Sequence, residues 1–203
     1  MKIAIIGTGS VGTSLGSALI EKKYEVVYGS RNPNATSVSN GAPVKSQSDA
    51  VKDADVVILA VPYAAVRETV AGIGASLLSG KTVVDVTNIY DSNMQWAPGP
   101  RSGAEELAGL LPDSKVVKAF NTVFAKEMRT GSLNGERLTL LIAGDDDGAK
   151  GKVRGIGESL GFEAVDVGQL SNAKYLEALG MLNIELAYKQ KLGNEVAFKM
   201  LKE

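Results

Sequence analysis

Short apolar runs alternate with amphipathic stretches from the first residues of the chain to about residue 168. The apolar runs have the length of strands and are bounded by turn-forming residues, so they predict buried strands. These strands are predicted at residues 2–6, 25–28, 55–61, 81–87, 115–120, 138–143 and 162–167. Apolar residues at helical spacing predict the helices between them, at residues 11–20, 46–54, 63–78, 103–111 and 147–160.

The predicted strands are apolar on both faces, as the runs I-A-I-I, V-V-I-L-A-V and T-V-V-D-V illustrate. Strands that are buried on both faces belong to a mostly parallel sheet with helices covering each side. The order of elements therefore predicts an α/β fold with a doubly wound, mostly parallel sheet over residues 1–168. A short helical extension over residues 169–203 follows this domain.

The extension has a different pattern from the rest of the chain. Its apolar side chains recur at helical spacings of three and four residues, with further apolar residues beside them: Tyr175, Leu179, Met181, Leu182, Ile184, Leu186 and Tyr188. A helix that is apolar over so much of its circumference needs more than one neighbour to bury it. We therefore expect this helix to pack on the sheet domain and on a second subunit in a homodimer. Packing on its own domain alone remains the alternative.

A glycine-rich turn follows the first predicted strand. Its residues Gly7, Thr8, Gly9, Ser10, Val11 and Gly12 fit the pattern G-x-G-x-x-G. Because the pattern follows a strand and opens a helix, it predicts the dinucleotide-binding turn of a Rossmann domain. In that role Gly7 permits the tight turn, Gly9 lets the pyrophosphate approach, and Gly12 lets helix and strand pack closely. A glycine-rich turn without a ligand is the alternative.

The end of the second predicted strand indicates which nicotinamide nucleotide binds. NAD-binding domains place an Asp or Glu there to hold the ribose 2′-hydroxyl. The corresponding segment here is Tyr28-Gly29-Ser30-Arg31-Asn32, which contains no acid. Ser30 can donate to a 2′-phosphate and Arg31 can pair with its charge, so the segment predicts NADP(H). The alternative is that Arg31 is a solvated surface charge.

Composition narrows the possible chemistry. The chain of 203 residues contains no cysteine and no histidine, which excludes thiolate nucleophiles, imidazole proton transfer and metal sites built on those side chains. Its 22 basic and 23 acidic residues give a net charge of −1 without a basic block, so we expect no nucleic-acid partner. The apolar runs are too short to span a membrane, and no signal peptide is apparent, so we expect a cytoplasmic protein that does not bind membranes.

Several segments together resemble the NADPH-dependent coenzyme F420 reductase family, the F420-dependent NADP oxidoreductases. They are also similar to the cytosolic NADPH-binding domain of the six-transmembrane ferric reductases. The matching segments are G-T-G-S-V-G, Y-G-S-R, L-A-V-P-Y, V-V-D-V-T-N, V-V-K-A-F-N-T-V, I-A-G-D-D and G-F-E-A-V-D-V-G-Q-L-S-N-A. The resemblance covers nearly the whole chain, and the C-terminal G-N-E-V-A-F-K also looks like the end of the archaeal F420 enzymes.

The resemblance implies direct hydride transfer between C4 of the nicotinamide and a flavin or deazaflavin ring stacked against it. The implied site residues follow the strands, at the edge where doubly wound sheets bind ligands. They are Ala60, Val61, Pro62, Tyr63, Thr87, Asn88, Asn121 and Thr122. A small-molecule redox substrate is the implied partner.

Asn121 is the candidate catalytic residue, because it can position a ring carbonyl or the nicotinamide amide. Its alternative role is that of a buried asparagine that braces the following loop. In the resembling family, the archaeal enzymes carry a histidine at this position, whereas the bacterial and membrane relatives carry asparagine. Coenzyme F420, FMN and FAD are therefore all candidates for the second cofactor or substrate.

Two other segments contain residues that could contribute to a functional site. The acids at residues 145–147 could hold Mg²⁺, but acids at a helix start more often cap the helix and complement its dipole, so we expect no metal. The long loop at residues 88–102 contains Trp96, which either covers the second ring or anchors the loop to the core.

Two other functions remain open. A reductase of small imines or 3-hydroxy acids begins with a similar domain, but it needs a large helical second domain and an acid–base Lys, Tyr or His. Only about 35 residues follow the predicted sheet here, which disfavours that function. A non-catalytic sensor that binds NADP(H) is the second, and turnover with any acceptor would distinguish it from an enzyme.

Overall fold

The computed structural model describes residues 1–90 and 99–201, so Trp96 and most of its loop lie outside the described residues. The strands are β1 (Lys2–Ile6), β2 (Glu25–Ser30), β3 (Val44–Ser46), β4 (Val56–Leu59), β5 (Thr82–Asp85), β6 (Lys115–Lys118), β7 (Ser132–Leu133), β8 (Glu136–Arg137), β9 (Thr139–Gly144) and β10 (Glu163–Asp166). The helices are α1 (Ser10–Glu21), α2 (Gln47–Val51), α3 (Val66–Ile73), α4 (Ala75–Leu78), α5 (Gly103–Leu110), α6 (Asp147–Ser159) and α7 (Ala173–Ile184).

The main sheet has eight strands in the order β10-β9-β6-β5-β4-β1-β2-β3, which confirms the predicted doubly wound, mostly parallel α/β fold. Strand β1 lies between β2 and β4, and its last residue, Ile6, pairs with Gly29 on one side and Leu59 on the other. The chain winds outward from β1 in both directions, so the carboxyl end of β1 is the switch point where such sheets bind ligands. Strand β9 joins β6 in the antiparallel sense.

Apolar side chains pack against both faces of this sheet. One core contains Leu15 and Leu19 of α1 together with Val153 of α6. The other contains Val70 of α3 and Leu107 of α5. Complete burial of one such side chain contributes about 1.5–3 kcal/mol, so the two cores supply the main driving force for folding. No helix within residues 1–90 and 99–201 is long and apolar enough to cross a membrane.

The structure departs from the predicted elements in several places. Strands β3, β7 and β8 were not predicted, because two or three residues are too few to show a periodic pattern. The single helix predicted at residues 63–78 is wrong: Gly74 has a φ of +89° and separates α3 from α4. Strands β4, β5 and β6 end at residues 59, 85 and 118, each two residues before its predicted end. The chain leaves the sheet at these three points, and the segments that follow can enclose a ligand.

The C-terminal helix α7 buries only part of the face predicted for it. Its buried residues include Leu176, Glu177, Gly180 and Asn183, which are mostly small or polar. Of the predicted apolar stripe, Met181 is also buried, whereas Tyr175 is 63% and Leu182 49% exposed. The stripe therefore packs on the sheet domain only in part, because polar partners on the domain bury the neighbouring face, and its packing on a second subunit stays a prediction.

A buried lysine holds this polar face in place. The Nζ atom of Lys118, at the end of β6, lies 3.0 Å from Oδ2 of Asp85 and 2.9 Å from Oε1 of Glu177. It also donates a hydrogen bond of 2.6 Å to the carbonyl oxygen of Thr87. The Glu177 carboxylate accepts from the first two backbone N–H groups of α5, at 3.1 and 3.3 Å. One buried cluster therefore joins β5, β6, α5 and α7.

Replacing Lys118 with Met leaves two carboxylates buried without their cation, and we expect a loss of about 3–5 kcal/mol in the free energy of unfolding. Lys115, at the other end of the same strand, provides the matched control. Its ion pair with Asp146 is at the surface, the lysine side chain being 48% exposed. Lys115→Met should lose at most about 1 kcal/mol. Urea unfolding of the two variants tests the difference, and equal small losses would mean that the buried cluster is not a structural requirement.

Candidate functional site

The turn between β1 and α1 requires glycine at two positions and leaves a third position open. Gly7 has a φ of +117°, and a Cβ atom there would lie 2.2 Å from the carbonyl oxygen of Ala60. A Cβ atom on Gly12 would lie 2.3 Å from the carbonyl oxygen of Gly7. Gly9 has an extended backbone, and a Cβ atom there would meet nothing within 4 Å. Gly7 and Gly12 thus serve the fold, and Gly9 faces free space that a ligand can occupy.

The N-terminus of α1 differs from those of three other helices. Ser46, Ser102 and Asp146 cap α2, α5 and α6 by accepting hydrogen bonds from backbone N–H groups. No side chain in the part of the chain that the structure describes caps α1, and no acidic residue lies in its first turn. Backbone N–H groups and the positive end of the helix dipole therefore face the space beside Gly9, between Thr8 and Ser10. This arrangement suits a pyrophosphate.

A cavity of about 260 Å³ lies beside the end of β2. It is lined by Gly7, Thr8, Gly9, Gly29, Ser30, Arg31, Asn32, Thr36, Ala60, Val61 and Pro62. The predicted residues at the ends of β1, β2 and β4 therefore meet in one place. Thr36 was not predicted, because the sequence gives no sign that the polar loop folds back onto Ser30.

Hydrogen bonds in this smaller cavity distinguish Ser30 from Arg31: the Ser30 hydroxyl is used within the fold, and the Arg31 guanidinium is not. The Thr36 hydroxyl donates to the carbonyl oxygen of Asn32 at 2.7 Å, so Ser30 is the donor in the 3.0 Å bond between the Ser30 and Thr36 hydroxyls. Ser30 also accepts from the backbone N–H of Asn32 at 3.1 Å. Arg31 is exposed and has no hydrogen bond or ion pair to the residues that the structure describes. Its guanidinium is therefore the available partner for a phosphate.

A second cavity, of about 510 Å³, lies above the carboxyl ends of β4, β5 and β6. The predicted residues that line it are Gly9, Ser10, Val11, Ala60, Val61, Pro62, Tyr63, Thr87, Asn88, Asn121 and Thr122. The part of the lining that comes from the segment after Thr122 and from the C-terminal extension was not predicted from the sequence. These residues include Phe124, Lys126, Gly180, Asn183, Tyr188 and Asn194.

Asn121 is held in a fixed orientation at the floor of this larger cavity. Its Nδ2 donates to Oδ1 of Asn88 and to the carbonyl oxygen of Leu176, both at 2.8 Å. Nδ2 of Asn88 donates in return to the carbonyl oxygen of Asn121 at 2.9 Å. Both hydrogens of the Asn121 amide are thus used, and its buried Oδ1 has no partner among the described residues. The free atom is an acceptor, which favours the role of binding an amide N–H over that of binding a ring carbonyl.

The backbone before Asn121 is strained. Phe120 has a φ of +65°, a left-handed conformation that is rare for a bulky residue. Its ring is buried and packs edge-on against Phe162, with the ring centroids 6.0 Å apart. This packing offsets the strain and fixes the direction in which the chain enters the site.

Tyr63 lines the larger cavity but is poorly suited to proton transfer. Its hydroxyl donates to Oε2 of Glu106 at 2.5 Å. Burial raises the pKa of the Tyr63 hydroxyl, and the Glu106 carboxylate raises it further. Tyr63 therefore remains a neutral phenol at physiological pH, with its proton engaged by the carboxylate.

The three acids at the start of α6 all have partners in the fold. Asp145 accepts from the backbone N–H of Leu170 at 2.9 Å, and Asp146 accepts from that of Ala149 at 2.7 Å. Asp147 forms an ion pair with Lys150. Asp146 is the N-cap of α6, as predicted.

Comparison with known proteins gives the site a family context. The family model described as NADP oxidoreductase, coenzyme F420-dependent, matches residues 2–89. The F420-dependent NADP reductase of Methanocaldococcus jannaschii is 31% identical over 213 residues, covering 94% of each chain. The metalloreductase STEAP3 of Rattus norvegicus is 36% identical over 182 residues. That match covers 88% of this chain and 36% of the relative, so the chain spans about a third of the metalloreductase.

Solved structures agree with this context. A putative F420-dependent NADP-reductase from Arthrobacter sp. FB24 superimposes with a TM-score of 0.90 and 28% identity over the whole of both chains. A reductive aminase from Aspergillus terreus, at 20% identity and a TM-score of 0.70, shares the fold. The chain belongs to the F420-dependent NADP oxidoreductase family.

Proposed function

We propose that the protein transfers hydride between NADPH and a flavin or deazaflavin ring, with coenzyme F420, FMN and FAD as candidate acceptors. The observation that carries the proposal is the junction of the two cavities. Gly9, Ala60, Val61 and Pro62 line both of them, so one extended dinucleotide can reach from Arg31 into the larger cavity. Relatives named F420-dependent NADP reductases support the same chemistry for this chain.

The residues fit the parts of NADP(H) in order along the crevice. Arg31 would hold the 2′-phosphate, beside Ser30 and Asn32 in the smaller cavity. The open space at Gly9 and the uncapped N-terminus of α1 would receive the pyrophosphate. The nicotinamide would then lie in the larger cavity, close to Asn121.

NADPH, when bound, supplies a hydride with its electron pair from C4 of the nicotinamide to the acceptor ring. The contribution of the protein is to align the two rings and to exclude water. The apolar part of the cavity wall includes Val61, Pro62 and Phe120, and the amides of Asn88 and Asn121 lie at its floor. The strained, packed backbone at Phe120 suits such a role, because it holds Asn121 in a single position.

The charges around the larger cavity favour ring-to-ring hydride transfer over reduction of a small carbonyl or imine. Among its described lining residues, Lys126 is the only charged side chain, and it forms an ion pair with Glu195. The proton of Tyr63 is engaged by Glu106. Reduction of a carbonyl or imine needs a proton donor near the substrate, and hydride transfer between stacked rings does not.

We also propose that the outward face of α7 binds a second copy of the chain. Tyr175 and Leu182 of this face and the neighbouring Tyr188 are 63%, 49% and 62% exposed, which is unusual for large apolar side chains grouped on one helix and its extension. Burial of this face against its own copy would form a homodimer. Sedimentation velocity tests this proposal, and a monomer at micromolar concentration would contradict it.

The direct test of the function is NADPH oxidation with coenzyme F420, FMN and FAD offered separately as acceptors. The near-ultraviolet absorbance of NADPH measures the rate of each reaction. We expect rapid turnover with at least one of these acceptors and much slower turnover with NADH as donor. Tight binding of NADPH without turnover with any acceptor would favour the sensor function instead.

The open position at Gly9 allows nucleotide binding to be separated from folding. Gly9→Val should fold, since its Cβ meets no neighbour, with at most about 1 kcal/mol lost at the helix cap. It should lose measurable NADPH affinity, because the new side chain fills the space proposed for the pyrophosphate. Gly155→Val, at another open glycine on α6, is the control and should bind normally. Calorimetric titration measures both, and near-normal affinity in Gly9→Val would put the pyrophosphate elsewhere.

The proposed 2′-phosphate contact predicts a difference between the two nucleotides. Arg31→Ala should weaken NADPH binding by about 10- to 150-fold, the range expected for one charge-assisted hydrogen bond, and NADH binding much less. Arg67→Ala removes an exposed arginine from α3 and controls for net charge. Equal losses for NADPH and NADH in Arg31→Ala would contradict the assignment.

A further inference from the structure

Three polar atoms in the wall of the larger cavity are buried and have no hydrogen-bond partner among the described residues. They are Oγ1 of Thr87, Oδ1 of Asn121 and Oδ1 of Asn183. An unpaired buried polar group destabilises a fold by about 1–3 kcal/mol, so such groups are rare. They are three of the six such atoms found in the described residues, and their occurrence on one cavity lining indicates a surface whose hydrogen bonds are completed by something that enters the cavity.

Asn183 is the least expected of the three, because it lies on α7 in the C-terminal extension. Its side chain is fixed, since Nδ2 donates to the carbonyl oxygen of Thr122 at 3.2 Å. That bond leaves Oδ1 as the free atom. Asn183 follows Gly180 by one helical turn, and a Cβ atom on Gly180 would lie 2.5 Å from Oδ1 of Asn88. The close approach at Gly180 is what brings Asn183 against the cavity.

The two cavity-lining asparagines leave the same kind of atom without a partner among the described residues. Both Asn121 and Asn183 use Nδ2 for bonds within the fold and leave an uncharged carbonyl oxygen. The geometry points to Asn183 as a positioning residue that, with Asn121, accepts hydrogen bonds from the N–H of a ring-borne amide or imide. This inference rests on the proposed function. Two molecules of the proposed reaction carry such a group: NADPH, in its nicotinamide carboxamide, and the acceptor, in the imide of its flavin or deazaflavin ring.

The test compares Asn183→Leu with Asn183→Asp. Both remove the Nδ2 donor to Thr122, but only the aspartate keeps an acceptor oxygen. Asn172→Leu is the matched control, because Asn172 also donates from Nδ2 to a backbone carbonyl, that of Val167, and does not line the cavity. Thermal unfolding of all three variants identifies any that fail to fold.

Equilibrium affinities distinguish the two possible ligands without requiring turnover. The probes are NADPH, 2′-phospho-ADP-ribose, which lacks the nicotinamide, and coenzyme F420, FMN or FAD added to protein loaded with NADP⁺. We expect Asn183→Leu to weaken one ligand by about 5- to 30-fold, as for one lost hydrogen bond in a buried site, with a smaller loss in Asn183→Asp. A loss for NADPH but not for 2′-phospho-ADP-ribose identifies the carboxamide. A loss confined to an acceptor identifies its imide.

The inference would be overturned if Asn183→Leu and Asn172→Leu had the same affinities for NADPH and for every acceptor. Equal losses of affinity in the leucine and aspartate variants of Asn183 would overturn it as well. A failure of the proposed function has a different signature. In that case the unaltered protein shows no turnover, whereas the affinity of Asn183→Leu for NADPH still reports on the carboxamide contact.

Discussion

The contact between Lys118 and its two buried carboxylates sets the geometry of the whole carboxyl edge of the sheet. Lys118 ends β6 and Asp85 ends β5, so their ion pair fixes the two points where the chain leaves the sheet to form the site. Glu177 adds α7 to the same cluster and accepts the first N–H groups of α5. A buried ion pair is tolerated only when its remaining hydrogen-bonding groups also have partners, and this cluster meets that condition. The pairing of Asn88 with Asn121 lies on the scaffold that results.

Sequence alone predicted the parts of the site that depend on local structure. The glycine pattern at residues 7–12 determines its own turn, and the parallel sheet brings the residues after β4, β5 and β6 to one edge. Asn183 could not be found in this way. The apolar stripe of α7 suggested that Leu182 faces the core, but Glu177 and Asn183 are buried instead because Lys118 and the site segments supply their partners. Burial of a polar side chain depends on partners distant in sequence, which helical periodicity does not reveal.

The two ends of the proposed site would bind the nucleotide through different kinds of interaction. At the phosphate end, recognition relies on charge and on backbone N–H groups, through Arg31 and the uncapped start of α1. At the ring end, the free groups are uncharged oxygens, among them those of Asn121 and Asn183. Phosphate contacts supply affinity over a wide range of orientations, whereas buried acceptors require an N–H at a defined position. On this view the nucleotide is anchored by its phosphates and its ring is aligned by the amides.

The same division explains how the proposed redox chemistry can proceed in a chain without cysteine or histidine. Two titratable groups at this edge of the sheet are already engaged within the fold: Lys118 with its carboxylates and Tyr63 with Glu106. These contacts hold the side chains in place, so the two groups contribute rigidity to the site. A cavity built in this way suits a reaction in which both reacting centres belong to bound rings and the protein controls their distance and angle. Hydride transfer between aligned rings requires neither imidazole nor thiol, so the composition of the chain is compatible with the proposed reaction.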